Sequence, residues 1–312
     1  MASRRGFSLV ELLFVIALIA LLTAVLVVAA SNGLGTAKTQ ATQSTMIKLG
    51  TLLQHRSEAL RRSNKMDDLA INAKVPTFLA NACGDKQLAK AMAIKSIERT
   101  WLPQTWAEAS TMLASAGISA PSSTTPDCES AEVLYFLLTA GAAVASLEVD
   151  ADWLNASVTA DRNGNGAKEI VDGWGNPVRF YRWPTRLIRP QGVPNMPAPP
   201  PPILPQDHSL AEVLLGNIPD YNSRDLAHDQ DYAFDDGGYG CAGYATTDFE
   251  TEFHTLSTWH TLLVVSAGPD GELGLYEPTD TANYGYLARP YVTNQNAIYD
   301  NVTNLNVKSG GK

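Results

Sequence analysis

With 312 residues, 45% of them hydrophobic and 18% charged, the chain has the composition of a globular protein and enough length for one large core or two small ones. Its formal net charge of -9, with no long basic run outside the Arg-rich patch at 56–62, argues against a nucleic-acid binder. Three cysteines, Cys83, Cys128 and Cys241, stand too far apart for a zinc knuckle or a CxxC redox pair.

The chain opens on Arg4-Arg5-Gly6 and Phe7-Ser8-Leu9-Val10-Glu11, followed by nineteen uncharged, almost wholly apolar residues from Leu12 to Ala30. As a helix they span roughly 28 Å, close to the hydrocarbon thickness of a bilayer. A cleaved secretory signal also begins with charge and an apolar run, and Ala29-Ala30-Ser31 imitates its cleavage site. Glu11 sets this segment apart. A carboxylate one helical turn inside an apolar run is costly in lipid and points to a function that brings it a partner. Arg4 and Arg5 place the N-terminus on the cytoplasmic side by the positive-inside rule, with the body on the outer side.

Arg-Gly followed by Phe-Ser-Leu-Val-Glu-Leu and an apolar helix resembles the leader and first helix of type IV pilins and type II secretion pseudopilins. The resemblance implies that a prepilin peptidase cuts between Gly6 and Phe7 and methylates the new amine. It implies too that Glu11 pairs with the terminal amine of a neighbouring subunit, setting the register of a helical filament. An ammonium and a carboxylate buried together offset each other's desolvation, so the pairing is physically coherent. The expected fold class is α+β: a long N-terminal helix on an antiparallel sheet, with helical and loop insertions in the head. The expected division is a leader at 1–6, a membrane span at 7–30, its amphipathic continuation at 31–62 and a periplasmic head at 63–312.

Ser31-Asn32-Gly33-Leu34-Gly35 reads as a poor helix stretch and a flexible point. From Thr36 to Arg62, Ala41, Met46, Leu49, Leu52, Leu53 and Leu60 recur at helical spacing, and a later sheet should cover that face. His55, Arg56, Arg61 and Arg62 read as a solvated face. Helices are predicted near 86–99 and 104–116, with Trp101 and Trp106 as core or docking residues. Asp127 caps a third helix from Cys128 to about Val144, whose run Val133–Leu138 is too short to span a membrane and belongs in the core. In an oxidising compartment Cys83 pairs with Cys128, or the thiols are free and buried.

Asp161-Arg-Asn163-Gly-Asn165-Gly166-Ala-Lys-Glu169-Ile-Val-Asp172 has the spacing of a D-x-N-x-N-G calcium loop with Asp172 at the twelfth place. A metal-free Asn-Gly turn accounts for the same residues. Asp172-Gly-Trp174-Gly-Asn-Pro177-Val-Arg-Phe-Tyr resembles the D-x-W-G-x-P-x-x-Y segment that starts the sheet of major pseudopilins; Val178–Tyr181 should be a strand. Residues 184–205 hold nine prolines and form an exposed insertion outside any sheet or helix. The segment from Asp225 to Asp236, with His228, is an acidic solvated loop or a divalent-ion site.

His260–Ser266 reads as a buried strand and Ala267–Gly274 as the turn leaving it. The pseudopilin resemblance places calcium at such a turn, with Asp270, Glu272, Asp280 and Asp300 as the corresponding acids. There is no GxSxG, HExxH or phosphate loop, and His254 and His260 share no metal-ligand spacing, so no enzyme is expected. The resemblance implies a pseudopilin of a type II secretion system, or else a pilin of a type IV pilus. Its expected partners are the prepilin peptidase, like subunits and an inner-membrane assembly platform.

Overall fold

The computed structural model describes residues 9–80, 82, 84, 86–139, 154, 157–184, 261–283, 285–288, 291 and 294–307. Gly6, Phe7, Cys83, Cys241, His228, His254, His260, the acidic segment 225–236 and residues 185–205 of the Pro-rich insertion lie outside them.

The long helix α1 runs from Leu9 to Arg62, 54 residues, roughly 81 Å at the rise of an α-helix. Its ends suit the helix dipole, with Glu11 in the first turn and Arg61 and Arg62 in the last. The expected weak point at Gly33 and Gly35 is helical throughout. Two glycines cost about 2 kcal/mol against alanine, and Leu- and Ala-rich turns before them and packed turns after them outweigh that.

From Thr42 onward one face of α1 is buried, through Met46, Leu49, Leu53 and Leu60, whereas Ala41 is exposed. Arg56 departs from the expected solvated face, being only 6% exposed, and burial lowers its pKa to about 10. It occupies the buried stripe because it follows Leu49 and Leu53 at helical spacing.

Helix α2 (Asp68–Leu79) has no counterpart in the sequence reading, because Pro76 in its last turns reads as a breaker. Asp67 caps it, its Oδ1 accepting the Ala70 N–H at 2.7 Å. Val75, Phe78 and Leu79 then pack on Ala89 and Met92 of α3 (Lys86–Trp101), whose small residues allow close approach. Helix α4 is shorter than expected, Ser110–Ala116, and ends at Gly117 with φ +68.

Helix α5 begins two residues earlier than expected, at Pro126, with Asp127 inside its first turn, and it is described to Thr139. The Thr125 carbonyl accepts the N–H groups of Cys128 and Glu129 at 3.0 Å, and proline suits the first helical position. Val133, Leu134, Phe136, Leu137 and Leu138 are buried, as expected of a core helix.

Strands β1 (Thr159–Ala160) and β2 (Glu169–Ile170) form an antiparallel hairpin. Strands β3 (Arg179–Tyr181), β4 (Leu263–Ser266) and β5 (Val302–Thr303) form an antiparallel sheet in the order β3-β4-β5. Alternation sorts its side chains. Phe180, Val264 and Val302 join the core with α1 and α5, while Tyr181, Leu263 and Val265 join Leu273, Leu275 and Ile298 on the other side. Both faces are covered, which is why β4 reads as an unbroken apolar run.

Both outer edges of this sheet are closed by side chains. At β3 the Phe180 N–H donates to Ser130 Oγ at 2.8 Å, and the Phe180 carbonyl accepts from Ser130 Oγ and Gln104 Nε2, each at 3.2 Å. At β5 the outward Thr303 N–H donates to Asn306 Oδ1 at 2.8 Å, and where the strand stops Asn304 continues its pairing with β4, accepting the Val264 N–H at 2.7 Å and donating to the Leu262 carbonyl at 2.9 Å. Edges satisfied in this way do not recruit strands from other chains.

Candidate assembly surface and its junction with the head

The first half of α1 is apolar all round, and that composition leaves two environments for a helix: the middle of a protein or a membrane. Leu9–Leu26 has a mean hydropathy of 2.9 and none of it is buried by the rest of the chain. Leu9, Leu12, Phe14, Leu21 and Leu26 are all more than half exposed. Thr23 is satisfied within the helix, its hydroxyl directed to the carbonyls of Ile19 and Ala20 at 3.0 and 2.9 Å. Glu11 is the only ionisable residue from Leu9 to Ala37 and sits in the first turn, where the helix dipole favours an acid.

Where α1 enters the head, the Asp172–Pro177 turn is fastened to it. The Gly173 N–H donates to Thr42 Oγ1 at 2.9 Å, and that hydroxyl donates to the Lys38 carbonyl at 2.9 Å. A Cβ on Gly173 would collide with the Lys38 carbonyl, so the position requires glycine. Asp172 organises the turn: Oδ1 accepts the N–H groups of Trp174 and Asn176, both at 2.9 Å, and Oδ2 accepts Ser266 Oγ at 2.7 Å. Asp172 thus belongs to this junction, separate from the D-x-N-x-N-G loop before it.

That loop closes the β1–β2 hairpin. Asp161 accepts the N–H groups of Asn165 and Gly166 at 3.1 Å, and Glu169 Oε2 accepts that of Arg162 at 3.0 Å. The carboxamides of Asn163 and Asn165 turn to Glu132 of α5, donating to Oε1 at 2.6 and 2.8 Å. Glu132 also accepts from Trp106 Nε1 at 2.7 Å and Thr124 Oγ1 at 3.0 Å. It is 1% exposed and ties three segments together, and the sequence reading missed it. Its only signal was an acid inside the apolar run of α5. Glu169 is buried beside Cys128, and burial raises the pKa of both groups, the thiol to about 11. Cys128 is a free buried thiol, the second of the two alternatives expected of it.

Of the four acids proposed after β4, two come together. Asp270 faces Asp300, whose pKa is raised by burial and then by the Asp270 charge. Gly268, with φ +70, lets the chain pass against Asp300. Glu272 accepts from Asn294 at 3.0 Å, and Asp280 is taken up by Asn283 at 3.0 and 2.8 Å. Among the described residues no group of three or more His, Cys, Asp or Glu is placed to hold a metal.

Farther from the membrane segment, Arg182 is clamped by Glu108 through two bonds of 2.8 and 3.0 Å and lies over Trp183, and Arg179 meets Glu277 at 2.9 and 2.7 Å. Both arginines are buried; Arg179 comes from the stretch read as a plain alternating strand and Arg182 follows it directly.

A family model described as the prokaryotic N-terminal methylation motif matches residues 1–27. No curated protein and no solved structure matches the chain. The motif, with an exposed apolar N-terminal helix and an α+β head, supports a type IV pilin-like protein. It implies processing by a prepilin peptidase and assembly with other pilin-like subunits, and it fits a single-pass membrane anchor.

Proposed function

We propose that the chain is a structural pseudopilin of a type II secretion system, cut between Gly6 and Phe7, held in the inner membrane with its head in the periplasm, and polymerised through α1. The observation that carries this reading is Glu11: one acid in the first turn of a helix whose apolar surface the chain itself leaves uncovered. In a filament the amine of a neighbouring subunit supplies the counter-charge and neighbouring helices cover the surface. The Asp172–Pro177 turn, which has the major-pseudopilin pattern, supports the secretion branch. The α2–α3 hairpin, which enlarges the head, favours the alternative of a type IV pilus subunit. The test is Glu11→Leu in cells carrying the cognate assembly genes. Insertion is expected to persist while filaments seen by electron microscopy disappear, and normal filaments would overturn the reading. Loss of secretion without loss of surface pili would separate the two branches.

Calcium forms part of the same proposal, at the corner where Asp270 faces Asp300. A cation held by these two carboxylates would relieve their mutual repulsion and secure the turn after β4.

A further inference from the structure

The residues from Leu12 to Ala37 carry no charge, 26 in all, so the uncharged part of α1 is roughly 39 Å long. A bilayer with its headgroup layers measures about 40–45 Å. Lys38, exposed, is therefore the first charge on the far side, at the level of the outer headgroups, where a lysine can lay its stem along apolar surface and keep its ammonium in water. The head touches α1 at this same level, because Gly173 rests on Lys38 and bonds to Thr42.

The next residue is Trp174, partly exposed on a turn that Asp172 holds by two backbone bonds. A large ring with a single N–H is the side chain that collects at membrane interfaces. The charges around it are mixed, with a slight acidic excess: Lys38 and Arg162 against Asp270, Glu272 and Asp300, the last three on or beside the Gly268–Glu272 turn, whose Gly271 faces the Asn176 side chain. Such a surface has no reason to seek anionic lipid.

We propose that Trp174 is an interfacial anchor that inserts into the headgroup layer of the bilayer crossed by α1 and seats the head on an uncharged lipid surface before assembly. The proposal rests on α1 spanning the membrane. Lys38 and the Asp172 turn set the depth of the ring, and leaving the membrane for a filament requires its withdrawal.

The test uses the full chain reconstituted in phosphatidylcholine vesicles containing lipids brominated near the top of the acyl chain. Wild-type tryptophan fluorescence should be quenched, and Trp174→Phe should lose that quenching while still floating with the vesicles. Trp174→Tyr, which keeps an interfacial aromatic and the fold, should lose it equally. Flotation with quenching unchanged in both variants overturns the anchor and leaves the spanning helix standing. Failure of the wild type to float overturns both.

Discussion

Thr42 and Gly173, 131 positions apart, share a hydrogen bond of 2.9 Å that fastens the head to the long helix just above its apolar half. The bond works because Gly173 has no side chain to strike the Lys38 carbonyl. Gly173→Ala should therefore destabilise the head by about 1–3 kcal/mol, the range for an overpacked contact. Thr42→Val, which strands the partly buried Gly173 N–H, should cost about 1 kcal/mol. Urea unfolding of the protein in detergent measures both, and membrane insertion should be unchanged.

Ser130 closes the β3 edge by accepting the Phe180 N–H at 2.8 Å in a fully buried place. Ser130→Ala leaves that group without its partner and should lower stability by about 1–3 kcal/mol. The loss should appear in thermal unfolding of the head. An unchanged Tm would mean that the edge is satisfied in another way.

Glu108 gives the protein an acid limb. Burial pushes its carboxyl up, but the Arg182 charge and hydrogen bonds, with the Gln104 N–H and Arg99, hold it below the usual range. A carboxyl held low in the folded state stabilises that state at pH values above its unfolded value near ~4.3, and the contribution is lost as pH falls through the lower folded value. Glu108→Gln should cost about 3 kcal/mol near neutral pH by breaking a buried pair, with the difference from wild type shrinking in acid. Glu129 has the opposite sign, because burial raises it against the Trp106 N–H bond. Its contribution is complete below the unfolded value and is lost as pH rises through the folded one. Glu129→Gln, which keeps an oxygen for the Trp106 N–H, should raise Tm slightly at neutral pH and not in acid.

Cys128 should resist thiol reagents in the native protein at pH 8, since burial removes access and raises its pKa to about 11. It should label fully on unfolding without reductant. Failure to label after unfolding would show that it is bridged.

Removing calcium should lower the Tm of the head, because an ion bound only by the folded state stabilises it by linkage. Asp270→Asn should abolish that difference. A Tm indifferent to chelator would leave the Asp270–Asp300 pair as a purely protein contact.

The apolar half of α1, the helix beyond it and the buried β4 run were legible because each depends on local period and apolarity. Met46, Leu49 and Leu53 announce their face by spacing alone. Arg56, Arg179, Arg182 and Glu132 could not be placed that way, since a buried charge is decided by partners far off in the chain. The Asp172 carboxylate shows the same limit. Its twelfth place in a calcium-like pattern was real as spacing, yet its oxygens serve Trp174, Asn176 and Ser266. Helix α2 was hidden by Pro76, whose penalty is outweighed by packing on α3 that no local rule can see.

Anchoring and assembly both require the apolar half of α1 to remain in the mature protein as the surface by which subunits are held and joined. Intact mass spectrometry of the protein extracted from membranes tests this most directly. The expected mass begins at Phe7 and carries one methyl group. A chain that begins after residue 30 would contradict it.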